Sequence, residues 1–362
     1  MRVRRLWLRD FRCYREAELA FPDGLLVIEG ANGQGKTSLL EAVAWGATAR
    51  SLRGVPDAAL VRTGAPTAIV RMEVEDGAGR PQLLEAELHA VGRNRIRVNG
   101  KALPRTRDLV GFLRVTVFAP DDLELIKGGP ATRRLFLDDL LEAMAPRYVA
   151  ICSDYERVVR QRNAALRTGD IDSTTLAVFD DQLVAHGAAL LRGRLRLTDR
   201  LLPAIAGAYS NLAGAAAKVG EAYEAPWAAS PPEADGDLEG LLRDALGRLR
   251  RQEHDRRVTL VGPHRDDWKL LLDGLEARVQ ASQGEQRCLA LALRLGGHTL
   301  VTEIINDKPV LLLDDVFSEL DPTRSAALVA NLPNGQTLLT TAGSAPVTPE
   351  QVIRVVDGRI DA

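Results

Sequence analysis

Three short apolar runs frame the chain, each with a different continuation. Leu25 to Ile28 reads as a strand, followed by a glycine-rich turn and a helix-like stretch from Ser38 to Trp45. Pro309-Val310-Leu311-Leu312-Leu313 is a second run, and it ends in two carboxylates, Asp314 and Asp315. Uninterrupted apolar strands of this kind belong to parallel sheets covered on both faces. Cys288 to Ile305 reads as a long apolar helix. Residues 1 to about 125 otherwise read as mixed β, with a hairpin signal at Val98-Asn99-Gly100-Lys101; a second lies at Leu272-Asp273-Gly274-Leu275. From about 131 to 256 the pattern turns helical: Leu137, Leu141, Met144, Tyr148, Ile151, Tyr155 and Val158 form a heptad stripe, repeated more weakly by Leu190, Leu197, Leu201, Ala204 and Ala208. Two helices of ~35 residues would each span on the order of 50 Å, and a lobe packed on a core is preferred to a projecting coiled coil. Ala228 to Gly236 is a loop by composition. The expected architecture is α/β, with one domain built from both chain ends, 1–130 plus 257–362, and a helical lobe at 131–256 inserted in it.

Composition sets limits. The 362 residues are 46% hydrophobic and 27% charged, an ordinary balance for a globular chain of two domains. Net charge is −2, so no global basic field points to nucleic acid. Arginines nonetheless cluster: Arg2, Arg4, Arg5, Arg9, Arg12 and Arg15 at the start, Arg157, Arg160, Arg162 and Arg167 later, then Arg192, Arg194, Arg196 and Arg200. Such clusters read as solvated faces or, in a DNA-handling protein, as DNA-facing patches. Three separated cysteines, Cys13, Cys152 and Cys288, fit neither a disulfide framework nor a metal site, and five scattered histidines add no zinc pattern. Arg9 and Asp10 interrupt the first apolar stretch, so no secretory signal forms, and no run approaches the ~20 apolar residues of a membrane span. A cytoplasmic protein without a membrane partner is expected.

The turn after the first run, Gly30-Ala31-Asn32-Gly33-Gln34-Gly35-Lys36-Thr37, fits G-x-x-x-x-G-K-[ST] at every position, between a strand and a helix as the pattern requires. Glycines let backbone N–H groups point inward on phosphate oxygens at the positive end of a helix. Lys36 is placed to reach β- and γ-phosphates, and the Thr37 hydroxyl to hold Mg²⁺. Only six of the 47 basic residues are lysines, so an accidental lysine here carries little weight. Ligand chemistry in open α/β sheets gathers at the carboxyl ends of strands. Asp314 is therefore placed to hold the Mg²⁺ shell, and Asp315 to orient or deprotonate the attacking water. ATP and Mg²⁺ are the ligands these segments imply.

A third segment, Ala281-Ser282-Gln283-Gly284-Glu285-Gln286-Arg287, precedes the long apolar helix. Ser282 and Glu285 form a capping box that starts the helix at about Gly284, and a purely structural cap is one reading. The segment also resembles the signature motif of ABC-type ATPases, with Ser282, Gly284 and Glu285 in the matching positions. In that superfamily the signature serine binds the γ-phosphate of ATP held by the opposite subunit. Ser318-Glu319-Leu320-Asp321 resembles the D-loop of the same superfamily, through Ser318 and Asp321. Lys36 and Ser282 stand farther apart than in transporter ATPases and much closer than in SMC proteins. That spacing, Leu6 to Tyr14, Phe118 to Leu123, Gly128-Gly129-Pro130 before Arg133-Arg134, and Thr259 to Asp267 resemble the RecF family of bacterial recombination mediators, from residue 3 to about 358.

The resemblance implies an ABC-type ATPase head related to SMC heads, with a mixed β N-terminal half and an inserted, mostly helical lobe. It implies a DNA-binding ATPase switch that forms an ATP-dependent homodimer, binds single-stranded or junction DNA, and helps load recombinase with RecR and RecO. Several positions depart from the superfamily pattern. Asp315 stands where most members have Glu, Glu285 where transporters have Gln, and Leu338-Leu339-Thr340-Thr341 where a switch histidine is expected; Pro120-Asp121-Asp122 lies near the place of the glutamine loop. These departures predict slow hydrolysis. His264 and Arg265 could touch nucleotide or DNA, or brace their loop. A subunit that energises a transporter or another machine is the alternative function, which the spacing opposes. A metal nuclease on Asp266 and Asp267 lacks any further carboxylate cluster.

Overall fold

The computed structural model describes residues 1–168, 172–214, 217–343 and 346–361; residues 169–171 and 215–216, within the stretch expected to be helical, lie outside the described residues. The chain divides into two compact units: Met1–Asp122, Asn211–Ala213 and the chain from His298 onward form one, Leu123–Ser210 and Gly214–Gly297 the other. The first unit opens with β1 (Arg2–Phe11) and β2 (Tyr14–Ala20), then β3 (Leu25–Glu29) and helix α1 (Lys36–Thr48). After it come β4 (Thr67–Glu75), β5 (Pro81–His89), β6 (Arg95–Val98), β7 (Lys101–Ala102) and β8 (Val115–Phe118). Strands β2-β1-β4-β5-β6-β7 make an antiparallel sheet with one buried face. Val3 and Leu6 would face opposite sides of a regular strand; a register shift between Val3 and Arg5 resets the alternation, so Val3, Leu6 and Leu8 all reach the core. The β6–β7 turn is the expected hairpin, with Asn99 and Gly100 both at positive φ. Helix α1 is buried from Ser38 to Ala47.

The second unit holds α2 (Glu124–Lys127), α3 (Pro130–Met144), α4 (Arg147–Thr168), α5 (Ser173–Ala213, except its last three residues), β9 (Val219–Glu224), α6 (Leu238–Arg256), β10 (Asp267–Leu272), β11 (Leu275–Glu276) and α7 (Ala277–Gln280). Helix α8 (Gln283–Ile305) follows and runs past its boundary at Gly297. The two ~35-residue helices expected from the stripe are not formed as such. The stripe is divided between α3 and α4, 15 and 22 residues long, and α5 extends to 41. Pro146 cannot donate its backbone hydrogen bond and forces Ala145 into an extended conformation, φ −148, which ends α3. Strand β9 also interrupts the helical stretch and pairs antiparallel with β10, and residues 257–297 group with the helices in the second unit.

The arginine clusters are not uniform surface patches. Arg162 is 1% exposed and donates to Asp180 of α5 at 2.9 Å, Glu253 of α6 at 2.6 Å and the Thr259 hydroxyl at 3.0 Å. Arg194 is likewise buried and holds Asp138 of α3 through two bonds, at 2.8 and 2.7 Å. Both serve the interior, because a buried guanidinium needs acceptors on every side.

The chain then returns to the first unit with β12 (Val310–Asp314), α9 (Pro322–Ala330), β13 (Thr337–Thr341), β14 (Gln351–Val356) and β15 (Arg359–Asp361). These complete a second sheet, β15-β14-β3-β13-β12-β8, parallel except for its β15 edge. β12 and β13 are buried at all five positions, as central strands of a parallel sheet are. One stretch does meet the length and composition of a membrane span, contrary to expectation: it lies in α8, with mean hydropathy 1.4, but 67% of it is buried inside the protein, the burial of a core helix.

Arg162→Ala should lower the unfolding free energy by about 3–5 kcal/mol, since it strands the buried Glu253 carboxylate. Urea denaturation of the full chain checks this, and a loss below about 1 kcal/mol would show the network to be dispensable.

Candidate nucleotide-binding site

Strand β3 ends at the phosphate-loop segment, and the loop's conformation needs glycine where it bends. Gly35 caps α1 at φ 112, and a Cβ there would lie 2.6 Å from Cys13 Sγ and 3.0 Å from the Tyr14 hydroxyl. Gly30 passes so close to β14 that a Cβ would lie 2.3 Å from the Val355 carbonyl oxygen. The Tyr14 hydroxyl donates to the Gly35 carbonyl at 3.1 Å, and burial holds it protonated by pushing its pKa up. The far side of the loop is fastened by the β14–β15 turn: Gly358 N–H donates to the Gln34 carbonyl at 3.1 Å, and Asp357 N–H to the Gln34 side chain.

Lys36 is 6% exposed, and its ammonium donates to the carbonyls of Gly30 at 2.7 Å and Ala31 at 2.9 Å. The Thr37 hydroxyl donates to Asp314 Oδ1 at 2.8 Å, joining residues 277 apart in sequence. Asp314 also accepts from the Thr340 hydroxyl at 2.7 Å. Asp315 adopts a left-handed conformation, φ 48 and ψ 30, an uncommon state that strands the next residues into a tight 3₁₀ turn, Val316–Glu319. Asn32, Gly33, Gly35, Lys36, Thr37, Asp314 and Asp315 together line one cavity of about 490 Å³. Gly30, Ala31 and Gln34 line a neighbouring one of about 580 Å³.

The first cavity is completed by residues the sequence did not single out for it: Arg12, Cys13, Arg53, Ala59, Val61 and Thr63. Arg12 is gripped by the fully buried Glu41 of α1, at 2.7 and 2.9 Å, and Ser51 donates to the same carboxylate at 2.7 Å. A glutamate inside an otherwise apolar helix face was the available signal, because a buried carboxylate demands a cation.

The D-loop residues carry local bonds. Ser318 donates to the Asp315 carbonyl at 2.8 Å, and Asp321 caps α9 by accepting from Arg324 N–H at 2.9 Å, which lowers its pKa. Ser282, Gly284 and Glu285 belong to the second unit. There the capping box forms: Ser282 N–H and hydroxyl both donate to Glu285 Oε2, at 2.8 and 2.7 Å, and α8 begins at Gln283. His264 bonds to Tyr155 at 2.7 Å and to the Thr259 carbonyl at 3.2 Å, while Arg265 donates to that same carbonyl at 2.7 Å. Burial pushes His264 down to about 4, so the ring is neutral and braces its loop. Asp266 is fully buried against Tyr223 and Trp227, and Asp267 is paired with Arg133. No metal-ligating cluster forms among the described residues.

The sequence profile of the RecF/RecN/SMC N-terminal domain family matches residues 2–344. The DNA replication and repair protein RecF of Frankia alni is 46% identical over 365 aligned residues, covering 97% of this chain and 96% of the relative. The chain belongs to the RecF family. A solved structure of the recombination mediator protein RecF bound to ATP, in the RecFOR pathway, superimposes with TM-score 0.93 at 29% identity, covering 99% of this chain and 96% of that one. The Smc head domain of Pyrococcus yayanosii shares the fold, with TM-score 0.59 at 13% identity over 99% of this chain and 96% of that one. RecF-family membership thus comes with the ABC-type ATPase head fold: a mixed β N-terminal half and an inserted, mostly helical part.

The loop glycines can be told apart by substitution. Gly33 sits at φ 83 with open space around a Cβ, so Gly33→Ala should lower stability by about 1–2 kcal/mol. Gly35→Ala adds overlap with Cys13 and Tyr14 and should lower it by about 2–5 kcal/mol. Chemical denaturation of both variants checks the order; equal losses would mean the β1–β2 turn yields freely.

Proposed function

We propose that this chain is an ATP-dependent DNA-binding switch of DNA replication and recombinational repair, and a slow Mg²⁺-dependent ATPase acting in the cytoplasm. The observation that carries the reading is the Thr37–Asp314 hydrogen bond, which brings the hydroxyl and carboxylate of two distant motifs to one point of the cavity. The backbone of Gly30, Ala31, Asn32, Gly33, Gln34 and Gly35 cradles the phosphates. Lys36 exchanges two neutral carbonyls for charged phosphate oxygens, a stronger pairing for an ammonium. Thr37 and Asp314 offer the oxygen donors that suit a hard cation, and bound Mg²⁺ would neutralise charge on the β- and γ-phosphates. Asp315 orients or deprotonates the attacking water; its short side chain and fixed backbone suit a switch more than a fast motor.

Ser282, Gly284 and Glu285 act in this reading on ATP held by a second copy, with Ser318 and Asp321 at the contact between copies. Such a two-fold dimer buries two nucleotides. Residues 1–130 and 257–362 would work as the head and 131–256 as the helical lobe. ATP binding closes the dimer on single-stranded or junction DNA, and slow hydrolysis releases it. RecR and RecO are the proposed protein partners in recombinase loading. The names of the relatives, proteins of DNA replication and repair, and the ATP-bound state of a solved RecF support this assignment.

Ser282→Arg should block ATP-dependent dimerisation while sparing ATP binding, because the long side chain fills the partner's phosphate pocket. Sedimentation of the wild type at the same mass with ATP, ADP and no nucleotide would sink the dimer switch.

Asp315→Asn should keep ATP bound and the dimer closed while lowering turnover by about 10²–10⁴-fold, the usual worth of a positioned base. DNA should leave this variant more slowly, and DNA binding should weaken steeply with salt through counterion release. DNA affinity indifferent to both nucleotide and salt would refute the reading.

A further inference from the structure

Parallel pairing of β12 with β13 sets Thr340 directly beside Asp314. Thr340 is fully buried, and Leu338 and Leu339 before it are buried as well. A hydroxyl in such a strand must find partners, and this one uses both of its capacities. It donates to Asp314 Oδ1 at 2.7 Å and accepts from the Asp315 N–H at 3.0 Å. The same N–H also points to the Thr340 carbonyl at 3.2 Å, and Ser318 holds the Asp315 carbonyl at 2.8 Å. Asp315 is thus fastened at both ends of its left-handed residue.

We propose that Thr340 is a positioning residue that fixes both acidic side chains of the ATPase site through one hydroxyl. This rests on the ATPase reading above and adds a residue to it. Asp314 receives two hydroxyls, from Thr37 and Thr340, on the same carboxylate oxygen. Thr37 belongs to the phosphate loop and follows whatever the loop binds. Thr340 belongs to the neighbouring strand, so its bond keeps the Asp314 carboxylate oriented independently of the loop. Its acceptor half holds the Asp315 amide, and with it the direction in which that side chain leaves the strand. A valine would pack this strand equally well; the hydroxyl serves the two aspartates.

The test is steady-state ATP hydrolysis by the full chain with Mg²⁺ and junction DNA, comparing wild type with Thr340→Val, Thr340→Ala and Thr340→Ser. Val and Ala should each lower kcat by about ten- to a hundredfold, the scale of a small misplacement, with KM for ATP within about threefold of wild type. Ser keeps the hydroxyl and should recover kcat to within about threefold. Agreement between Val and Ala guards against a packing defect in either one. Unchanged kcat in both, a Ser variant as impaired as Val, or a rise in KM without loss of kcat overturns the role of Thr340 while leaving the ATPase intact. Absence of hydrolysis by the wild type overturns the ATPase reading and the Thr340 role together.

Discussion

The site depends on one pairing: β3, early in the chain, lies between β13 and β14 from its far end. Parallel strands cannot be joined by a tight turn, so the intervening chain must leave the sheet and return. The second unit occupies most of that excursion. Because β3 and β12 end on the same side, separated only by β13, their carboxyl ends place Thr37 and Asp314 within hydrogen-bond reach. Shift β13 by one residue and Thr340 would turn its hydroxyl to the opposite face.

Around that pairing the loop is held from several directions by bonds that are individually modest. The β1–β2 turn supplies Tyr14 to Gly35 and Arg12 to Glu41; the β14–β15 turn supplies two amides to Gln34. A glycine loop has high intrinsic freedom, so its shape must come from outside. The β1–β2 turn thus both shapes the loop and lines the cavity beside it, through Arg12 and Cys13.

Much of this was legible beforehand, for local reasons. Asn99-Gly100 and Asp273-Gly274 favour positive φ whatever surrounds them, and both became hairpin turns. The phosphate loop and the Asp314-Asp315 pair were legible because their chemistry tolerates few residue types. Other features hid because they depend on partners far away. Val219–Glu224 has no alternation strong enough to announce a strand; its pairing with β10 makes it one. Ala145-Pro146 lies inside a heptad stripe whose spacing continues across the break and hides it. Arg162 belongs by sequence to a charge cluster, yet it falls on the same helix face as Tyr155, Val158 and Leu166, all buried. Its place on the stripe was the signal, and it outweighed its charge. Thr340 stands in the sequence only as one of four residues, Leu338 to Thr341, where a switch histidine is expected, and its two bonds require the register of β13.

The position of β3 also bears on how the protein is made. Chain synthesis delivers β3 and the phosphate loop early, yet both strands that flank β3 emerge only after residue 336. Until then β3 has neither of its neighbouring strands, and Asp314 has no Thr340. The second unit, by contrast, has all its strands by Glu276 and can fold while the ribosome is still at work. The strand register that brings Thr37, Asp314 and Thr340 together is therefore completed late, after every strand of the second unit has been made.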